Sequence, residues 1–346
     1  MNNIVLGFIS NDINLPIPAN IGLLEVLIVI TFILHILFVN FTIALASSAV
    51  LLEGIGIIKK NSKLDAMAKV CSWHASIHKS IAVVLGVGPL LIVSVIYTQY
   101  FYNSTILIGK AWLSVILLLI IAFLLLYLYK FTWERWQQKK ALHMMVGGLG
   151  AAILLFVPLI FIVNVVSMLY PEKWGDAQGF FHSLIYYPQI WQRYFHFILA
   201  SLAAGGFYLF VYYTWKGRKQ KAILEHEQGL KKFGVKMALW VTLCQIATGF
   251  ILLFSFETNI RMLYLGEDVL LTSLLVASII LTIVLCGLLH VAGERNSGKA
   301  FFLSVATFVL ILGVMGYMRH ELRENYLQPY MEEHPRVTMD ETDSKR

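Results

Sequence analysis

The chain has 346 residues, of which 58% are apolar and only 14% are charged, and its mean hydropathy is +0.73. Soluble domains carry about a quarter charged residues, so this composition excludes a soluble globular enzyme and indicates a polytopic protein embedded in the lipid bilayer. The net charge of +7 is concentrated in particular loops, which is typical of membrane topology and not of nucleic-acid binding. The three cysteines lie far apart and no Cys-x-x-Cys-His motif occurs, so covalent c-type haem on this chain is not expected.

Eight apolar stretches are long enough to cross a bilayer at about 1.5 Å of rise per residue. They cover residues 22–52, 75–99, 111–131, 143–169, 194–214, 236–256, 268–291 and 300–319. Basic residues cluster after the first, third, fifth and seventh stretches, and the positive-inside rule places those loops in the cytoplasm. We therefore predict an all-α protein with about eight transmembrane helices in two four-helix bundles and both termini extracytoplasmic.

The same pattern divides the chain into five segments. They are an extracytoplasmic N-terminal segment (1–21), a first four-helix bundle (22–169), an aromatic extracytoplasmic loop (170–193), a second four-helix bundle (194–322) and a charged extracytoplasmic tail (323–346). The aromatic loop is predicted to form an interfacial belt, with a buried lid or docking surface as the alternative. The tail is charged and contains two prolines, which predicts an extended or disordered segment.

Histidines in or near the spans are the polar residues that most need an explanation. His35 lies within the first apolar stretch, where no water solvates an imidazole, and polar groups at membrane depth are usually paired and often functional. The predicted topology sorts eight histidines into two layers. The outer layer contains His35, His182, His196 and His320, and the inner layer contains His74, His78, His143 and His290.

Haem iron suits this pattern better than zinc does. Zinc would favour Cys, Asp or Glu beside His, and the spans offer almost no carboxylates, whereas haem iron takes one or two axial ligands that are most often His. We therefore predict haem b, with hydrogen-bonded structural histidines as the alternative. The predicted inner pair is His78 with His143, with His74 or His290 in reserve. The outer layer offers His35, His182, His196 and His320 as candidate ligands, and the pattern alone does not choose among them.

Short segments of the chain carry a further signal. The sequence His35-Ile-Leu-Phe-Val-Asn-Phe-Thr-Ile-Ala-Leu, with Glu53 at the end of the same stretch, resembles the first helix of subunit I of the cytochrome bd quinol oxidases. Further similarities keep the family's order: Trp133-Glu134-Arg135, His143-Met144, Phe195-His196 followed by Ala200-Ser201, and Gly316-Tyr317 with Glu321. The resemblance covers about residues 21–245. It implies that His35 ligates a high-spin haem on the outer side and that His196 ligates the low-spin haem b. We therefore predict His35 and His196 in separate outer sites, with His182 or His320 as partners.

The departures from the family pattern are as informative as the similarities. The resemblance places two third-helix glutamates, which serve protons and the oxygen-reducing site in the family, at Val115 and Phe123. The eighth-helix haem-ligating glutamate falls near Val314, the low-spin haem methionine falls near Leu274, and the long external quinol loop is reduced to about 257–268. His74, His78 and His290 have no obvious family equivalents. Since apolar side chains cannot relay protons, oxygen reduction is not expected.

Together these features predict a membrane electron-transfer subunit with two or more haem b groups, located in the bacterial cytoplasmic (inner) membrane. It would move electrons between the quinone pool and an extracytoplasmic redox partner, such as a c-type cytochrome, within a complex of several subunits. If quinone binds this chain, Glu25 or Glu321 is the predicted proton acceptor. The alternatives are a haem-free membrane anchor or transporter subunit, and a divergent terminal oxygen reductase.

Overall fold

A computed structural model describes residues 15–220, 224–295 and 297–338. The remainder of the predicted N-terminal segment (1–14), Lys221 of the basic loop and the end of the tail (339–346) lie outside the described residues. Eight long apolar helices confirm the predicted spans. They are α1 (Ile21–Lys59), α2 (Ser62–Ile96), α3 (Gly109–Phe131), α4 (Lys140–Leu169), α5 (Ile190–Gln220), α6 (Glu225–Phe254), α7 (Val269–Arg295) and α8 (Gly298–Glu333).

Most of these helices are longer than the predicted apolar stretches. The 39 residues of α1 correspond to roughly 58 Å of rise, about twice the hydrocarbon thickness of a bilayer, so its ends extend beyond the apolar zone. Side chains define where the helices begin: Asn20 accepts a hydrogen bond from the Leu23 amide, and Asn61 accepts from the amides of Lys63 and Leu64. Lys60 adopts a left-handed conformation between α1 and α2 (φ 49°), which closes the short turn between them.

The helices pack as two groups of four. In the first group α1 packs on α2 and α4, and α3 packs on α4 and α2; in the second, α6 packs on α5 and α7, and α7 packs on α8. Phe207 of α5 stacks on Phe308 of α8 with ring centroids 4.2 Å apart, which closes the second group. The groups meet mainly through α1 and α5. Two backbones approach closely there, because a Cβ on Gly205 would lie 2.1 Å from the Cβ of Ala44.

Short helices connect the spans at the end of the bundle opposite the basic loops. They are Thr98–Leu107 after α2, Pro171–Asp176 and Gly179–Tyr186 after α4, and Thr258–Met262 with Leu263–Glu267 after α6. The aromatic loop has both buried and exposed members. Tyr170, Trp174 and Tyr187 are buried, whereas Phe181 is 76% exposed. This loop therefore forms part of the bundle's core as well as its surface.

The tail differs from its prediction. Helix α8 continues to Glu333, so the first turns of the predicted extended segment are helical, and residues 334–338 then run alongside the N-terminal segment. The Ile17 amide donates to the Val337 carbonyl at 2.8 Å. The helix extends because its last turns have packing partners: Leu327 is fully buried, and the Tyr97 hydroxyl donates to Glu324. Composition alone does not reveal such contacts.

Candidate cofactor site

Four of the predicted histidines lie at successive depths along α1, which the two predicted layers did not distinguish. His35 contacts the Ala82 carbonyl, whereas His143 bonds to Glu53, which is 18 residues further along α1, or roughly 27 Å nearer the basic loops. His320 lies beside Glu25, roughly 15 Å from His35 in the other direction. His78 lies one helical turn from Ala82 on α2, only about 6 Å of rise from the level of His35.

His35 has one ring nitrogen engaged and one available. Its Nδ1 lies 2.9 Å from the Ala82 carbonyl of α2. A carbonyl can only accept a hydrogen bond, so Nδ1 carries the proton and Nε2 keeps its lone pair. Gly86 provides the space for this ring, because a Cβ there would lie 2.8 Å from the His35 Cε1 atom. This arrangement is the usual second-shell support of a metal-binding imidazole.

His196 lies at the same depth as His35 on a neighbouring helix. Helices α1 and α5 run parallel, and Ser201 of α5 donates a hydrogen bond to Asn40 of α1, which is 161 positions earlier in the chain. His196 likewise follows His35 by 161 positions. Its Nδ1 lies 3.5 Å from the Thr248 hydroxyl of α6, and a Cβ on Gly249 would lie 3.5 Å from its Cε1 atom. Both histidines that carry the family resemblance are thus level with each other.

His78 is the one buried histidine whose two ring nitrogens have no hydrogen-bond partner in the described part of the chain. It is only 7% exposed. Aromatic rings surround it: its centroid lies 5.6 Å from Phe38, 5.4 Å from Phe41 and 4.6 Å from Tyr208. A buried polar group without a partner costs roughly 1–3 kcal/mol, so the unpartnered imidazole of His78 is a candidate for binding a ligand.

His74 lies one turn away on the same face of α2 and is fully engaged. The Tyr208 hydroxyl lies 2.7 Å from Nδ1 and the Tyr213 hydroxyl 3.4 Å from Nε2. Since a neutral imidazole has one donor and one acceptor nitrogen, two hydroxyl partners use both. His74 therefore offers no free lone pair while these bonds persist.

His143 belongs to a buried polar network at the basic end of the first group. Its Nδ1 lies 2.7 Å from Glu53 Oε1 and its Nε2 lies 2.7 Å from the Tyr129 carbonyl. The Tyr129 hydroxyl donates to Glu53 Oε2 at 2.7 Å, and Lys140 bridges Glu53 and Asp65. With an oxygen atom 2.7 Å from each ring nitrogen, His143 leaves neither nitrogen open to a metal. The structure does not bring it to His78, so the predicted inner pair is not formed.

A second polar cluster lies at the opposite end, between α1 and α8. His320, Glu25 and Glu324 place their ligand atoms within 4.8 Å of one another. An Arg323 guanidinium nitrogen donates to His320 Nδ1 at 3.0 Å, which leaves the His320 proton on Nε2. Arg336 contacts both Glu25 and Glu324 at 3.3 Å. Of the two predicted proton acceptors, Glu25 joins this cluster, whereas Glu321 is half-buried on a different face of α8.

The remaining two predicted ligands lie away from these sites. His182 is in the short helix after α4, where its Nδ1 accepts from the Gln178 amide at 3.3 Å and its ring stacks on Tyr186. His290 is exposed on α7. Sequence reasoning did not single out Glu324 or Tyr208, although the His320-x-x-x-Glu324 spacing puts both residues on one helical face and could have shown the first.

Eight apolar helices with histidines at membrane depth define an all-α, multi-pass membrane protein. The chain belongs to the cytochrome bd terminal oxidase subunit I family, whose profile matches residues 25–253, well over half of the sequence. This confirms the resemblance drawn from the first, fourth and fifth helices. Members of the family generally bind haems.

The fold agrees with this assignment. The structure of bd oxidase from Geobacillus thermodenitrificans is similar with a TM-score of 0.66 and 14% sequence identity, over 89% of this chain and 88% of that chain. At that identity the likeness concerns the fold alone. No curated protein sequence matches the chain.

The positions that depart from the family pattern are apolar in the structure too. Val115 is 8% exposed in the core near the aromatic loop. Phe123 faces the Lys79 ammonium, 4.2 Å from its ring centroid. Leu274 packs against the same core as Val115. None of these side chains can carry a proton or coordinate iron.

Proposed function

We propose that this protein is a haem b-containing electron-transfer subunit of the cytochrome bd subunit I type, which moves electrons between the quinone pool and an extracytoplasmic redox partner such as a c-type cytochrome. The observation that carries this proposal is His78, a buried imidazole with both nitrogens unpartnered within the described residues. His35 and His196, at one common depth, add two further histidines suited to iron.

The residues around these three histidines fit a haem. A porphyrin needs apolar walls and a ligand with a free lone pair. Phe38, Phe41 and Tyr208 supply such walls at His78, and Gly86 and Gly249 provide the space that the imidazoles of His35 and His196 occupy. Haem supplies reversible one-electron chemistry when bound. The chain's own contribution is to fix the imidazole tautomer, exclude water and hold two or more haems within electron-transfer reach.

The cluster of Glu25, His320 and Glu324 supports quinol as the electron donor on the predicted outer side. Oxidising a quinol releases two protons as well as electrons, and a histidine beside two carboxylates can accept them. The cluster lies beyond His35 toward the end of the bundle opposite the basic loops. We propose it as the proton acceptor, with Glu324 taking the place first predicted for Glu321.

Terminal oxygen reduction is disfavoured by the side chains at the family's proton-delivering positions. Val115 and Phe123 are apolar, and the nearest charged group to Phe123 in the contacts described is the Lys79 ammonium. A cation at this depth opposes proton entry. Electron transfer needs no such pathway, because the electrons leave to a partner subunit.

Haem analysis of the purified full chain tests the proposal. We expect a pyridine haemochrome spectrum of haem b with at least two haems per chain, and His35→Ala, His78→Ala and His196→Ala should each lower the haem content. His290→Ala is the matched control, since this histidine is exposed on a spanning helix and its loss should leave the haem content unchanged. Folded protein without haem b would overturn the proposal in favour of an anchor or transporter. Quinol-dependent oxygen uptake by the isolated protein would favour a reductase.

A further inference from the structure

Two lysines in the groove between α2 and α3 lack the carboxylate partners that neighbouring lysines have. Lys79 is only 1% exposed, and its ammonium lies 3.6 Å from the ring centroid of Tyr127 and 4.2 Å from that of Phe123. In the described parts of the chain it forms no ion pair. A buried charge is costly unless it is paired, and the two aromatic rings compensate only part of that cost.

Lys130 lies one turn further along α3, toward the basic loops. Its ammonium donates to the Ser76 hydroxyl at 2.9 Å and lies 5.7 Å from the Trp73 ring centroid. It too has no carboxylate partner among the described residues. Ser76 and Lys79 are themselves one turn apart on α2, so both ammonium groups and the hydroxyl border one groove.

Other lysines at this end of the bundle show the contrast. Lys63 pairs with Glu225, Lys140 with Asp65 and Lys216 with Glu227 at 2.8, 2.5 and 2.5 Å, and Lys69 pairs with Glu134. These pairs belong to loops and helix ends. Lys130 lies in the last turn of α3, and Lys79 lies ten residues further into α2 than Lys69; among the described residues, no carboxylate contacts either ammonium group.

The rim of the groove is apolar and aromatic. Trp73 is 48% exposed, Tyr127 37% and Phe131 72%, and such residues favour the zone between acyl chains and headgroups. An anion bound in this groove would therefore have apolar side chains around it on the membrane side. A phospholipid headgroup meets this condition, because its phosphate is anchored at interface depth by acyl chains.

We propose that the α2–α3 groove binds the phosphate of an anionic phospholipid at Lys130 and the Ser76 hydroxyl, with the buried Lys79 ammonium adding positive charge behind them. Basic pockets between transmembrane helices on the cytoplasmic side suit this role. The site is separate from the histidine sites and does not depend on the proposed function.

Lipid binding to the full chain in detergent, measured by native mass spectrometry, tests the proposal. Phosphatidylglycerol should be retained in preference to phosphatidylcholine. Lys79→Gln and Lys130→Gln should each weaken that retention about fivefold, since a lysine near an anionic lipid contributes about 1 kcal/mol. Lys110→Gln, an exposed lysine at the other end of α3, is the matched control and should match the wild type.

Three results would overturn the proposal. Lys130→Gln could retain phosphatidylglycerol at the wild-type level; this variant alone decides the matter if Lys79→Gln does not fold. Phosphatidylcholine could bind as tightly as phosphatidylglycerol, which would exclude a role for headgroup charge. Inorganic phosphate at millimolar concentration could displace the lipid fully, which would indicate a site for the free anion instead.

Discussion

The imidazole of His35 lies directly against Gly86 of the second spanning helix, where an added Cβ would come within 2.8 Å of Cε1 and 3.0 Å of Nδ1. The same ring donates to the Ala82 carbonyl one turn away. The glycine and the carbonyl together set both the position and the tautomer of this histidine, so the site can be tested without changing the histidine itself.

Gly86→Ala should displace the His35 ring and lower the haem content or shift its visible spectrum, while the protein still folds. Gly88→Ala is the matched control on the same helix, because a Cβ there would lie 3.4 Å from Thr31, close to ordinary van der Waals contact. Haem content and reduced-minus-oxidised spectra of the two variants provide the comparison. Identical spectra from Gly86→Ala and the wild type would argue against His35 as a ligand.

Glu53 is expected to stabilise the fold and not to bind the cofactor. It is fully buried and accepts from Tyr129 while pairing with His143 and Lys140. Glu53→Leu should lower the free energy of unfolding by about 3–5 kcal/mol, because it leaves buried partners uncompensated. The measurement is unfolding in detergent, followed by the haem spectrum of the protein that remains folded, which should be unchanged.

The control for this prediction is Glu134→Leu. Glu134 also pairs with a lysine, but its side chain is 75% exposed, so its loss should change the free energy of unfolding by less than about 1 kcal/mol. If both variants were equally stable, the network around Glu53 would not have the structural role assigned here. Loss of haem from folded Glu53→Leu would instead restore His143 as a candidate ligand.

Gln189 holds the aromatic loop in a strained conformation. It is 3% exposed and has a φ of 67°, and its side-chain amide donates to the hydroxyls of Tyr170 and Tyr326 at 2.7 and 2.9 Å. Gln189→Ala removes these hydrogen bonds but leaves the backbone strained, so it should lower the free energy of unfolding by about 2–4 kcal/mol.

Gln189→Gly removes the same hydrogen bonds, but glycine adopts the positive φ without strain. Its free energy of unfolding should therefore be about 1 kcal/mol higher than that of Gln189→Ala. Thermal unfolding of the pair in one detergent measures the difference. An alanine variant as stable as the glycine variant would show that the backbone at this position is not strained.

Arg336 links the last described residues to the helical bundle through two ion pairs. Its guanidinium contacts Glu25 of α1 and Glu324 of α8 and lies 5.8 Å from the Tyr97 ring centroid. Arg336→Gln should release residues 334–338 and speed hydrogen exchange of the Ile17 amide by about fivefold, which corresponds to roughly 1 kcal/mol for partly exposed ion pairs.

Arg261→Gln, at the same end of the bundle, serves as the control and should leave exchange at Ile17 unaltered. The expected difference arises because Ile17 donates to Val337, next to Arg336, whereas Arg261 contacts Phe254 and Thr258. Equal exchange rates in the two variants would show that the backbone pairing alone holds the segment.

The sequence by itself determined the eight spans and the family, because hydropathy and motif order are properties of consecutive residues within single helices. It also pointed to His35 and His196 as candidate haem ligands, through the matched segments of the first and fifth helices. It did not resolve depths within the two predicted layers, because His320, His35, His78 and His143 lie at successive levels, with His143 roughly 27 Å from His35 along α1.

Only the tertiary structure decided which imidazoles have hydrogen-bond partners and which have none among the described residues. His74 and His78 share one face of α2, yet the tyrosines of α5 bond to the first and leave the second unpartnered among the described residues. Likewise, α8 runs past the predicted tail boundary because Leu327 and Tyr326 find partners in other segments. Hydrogen-bond partners and packing come from helices far apart in the chain, and the register between such helices is set by close contacts such as Gly205 on Ala44, which no single stretch of sequence encodes.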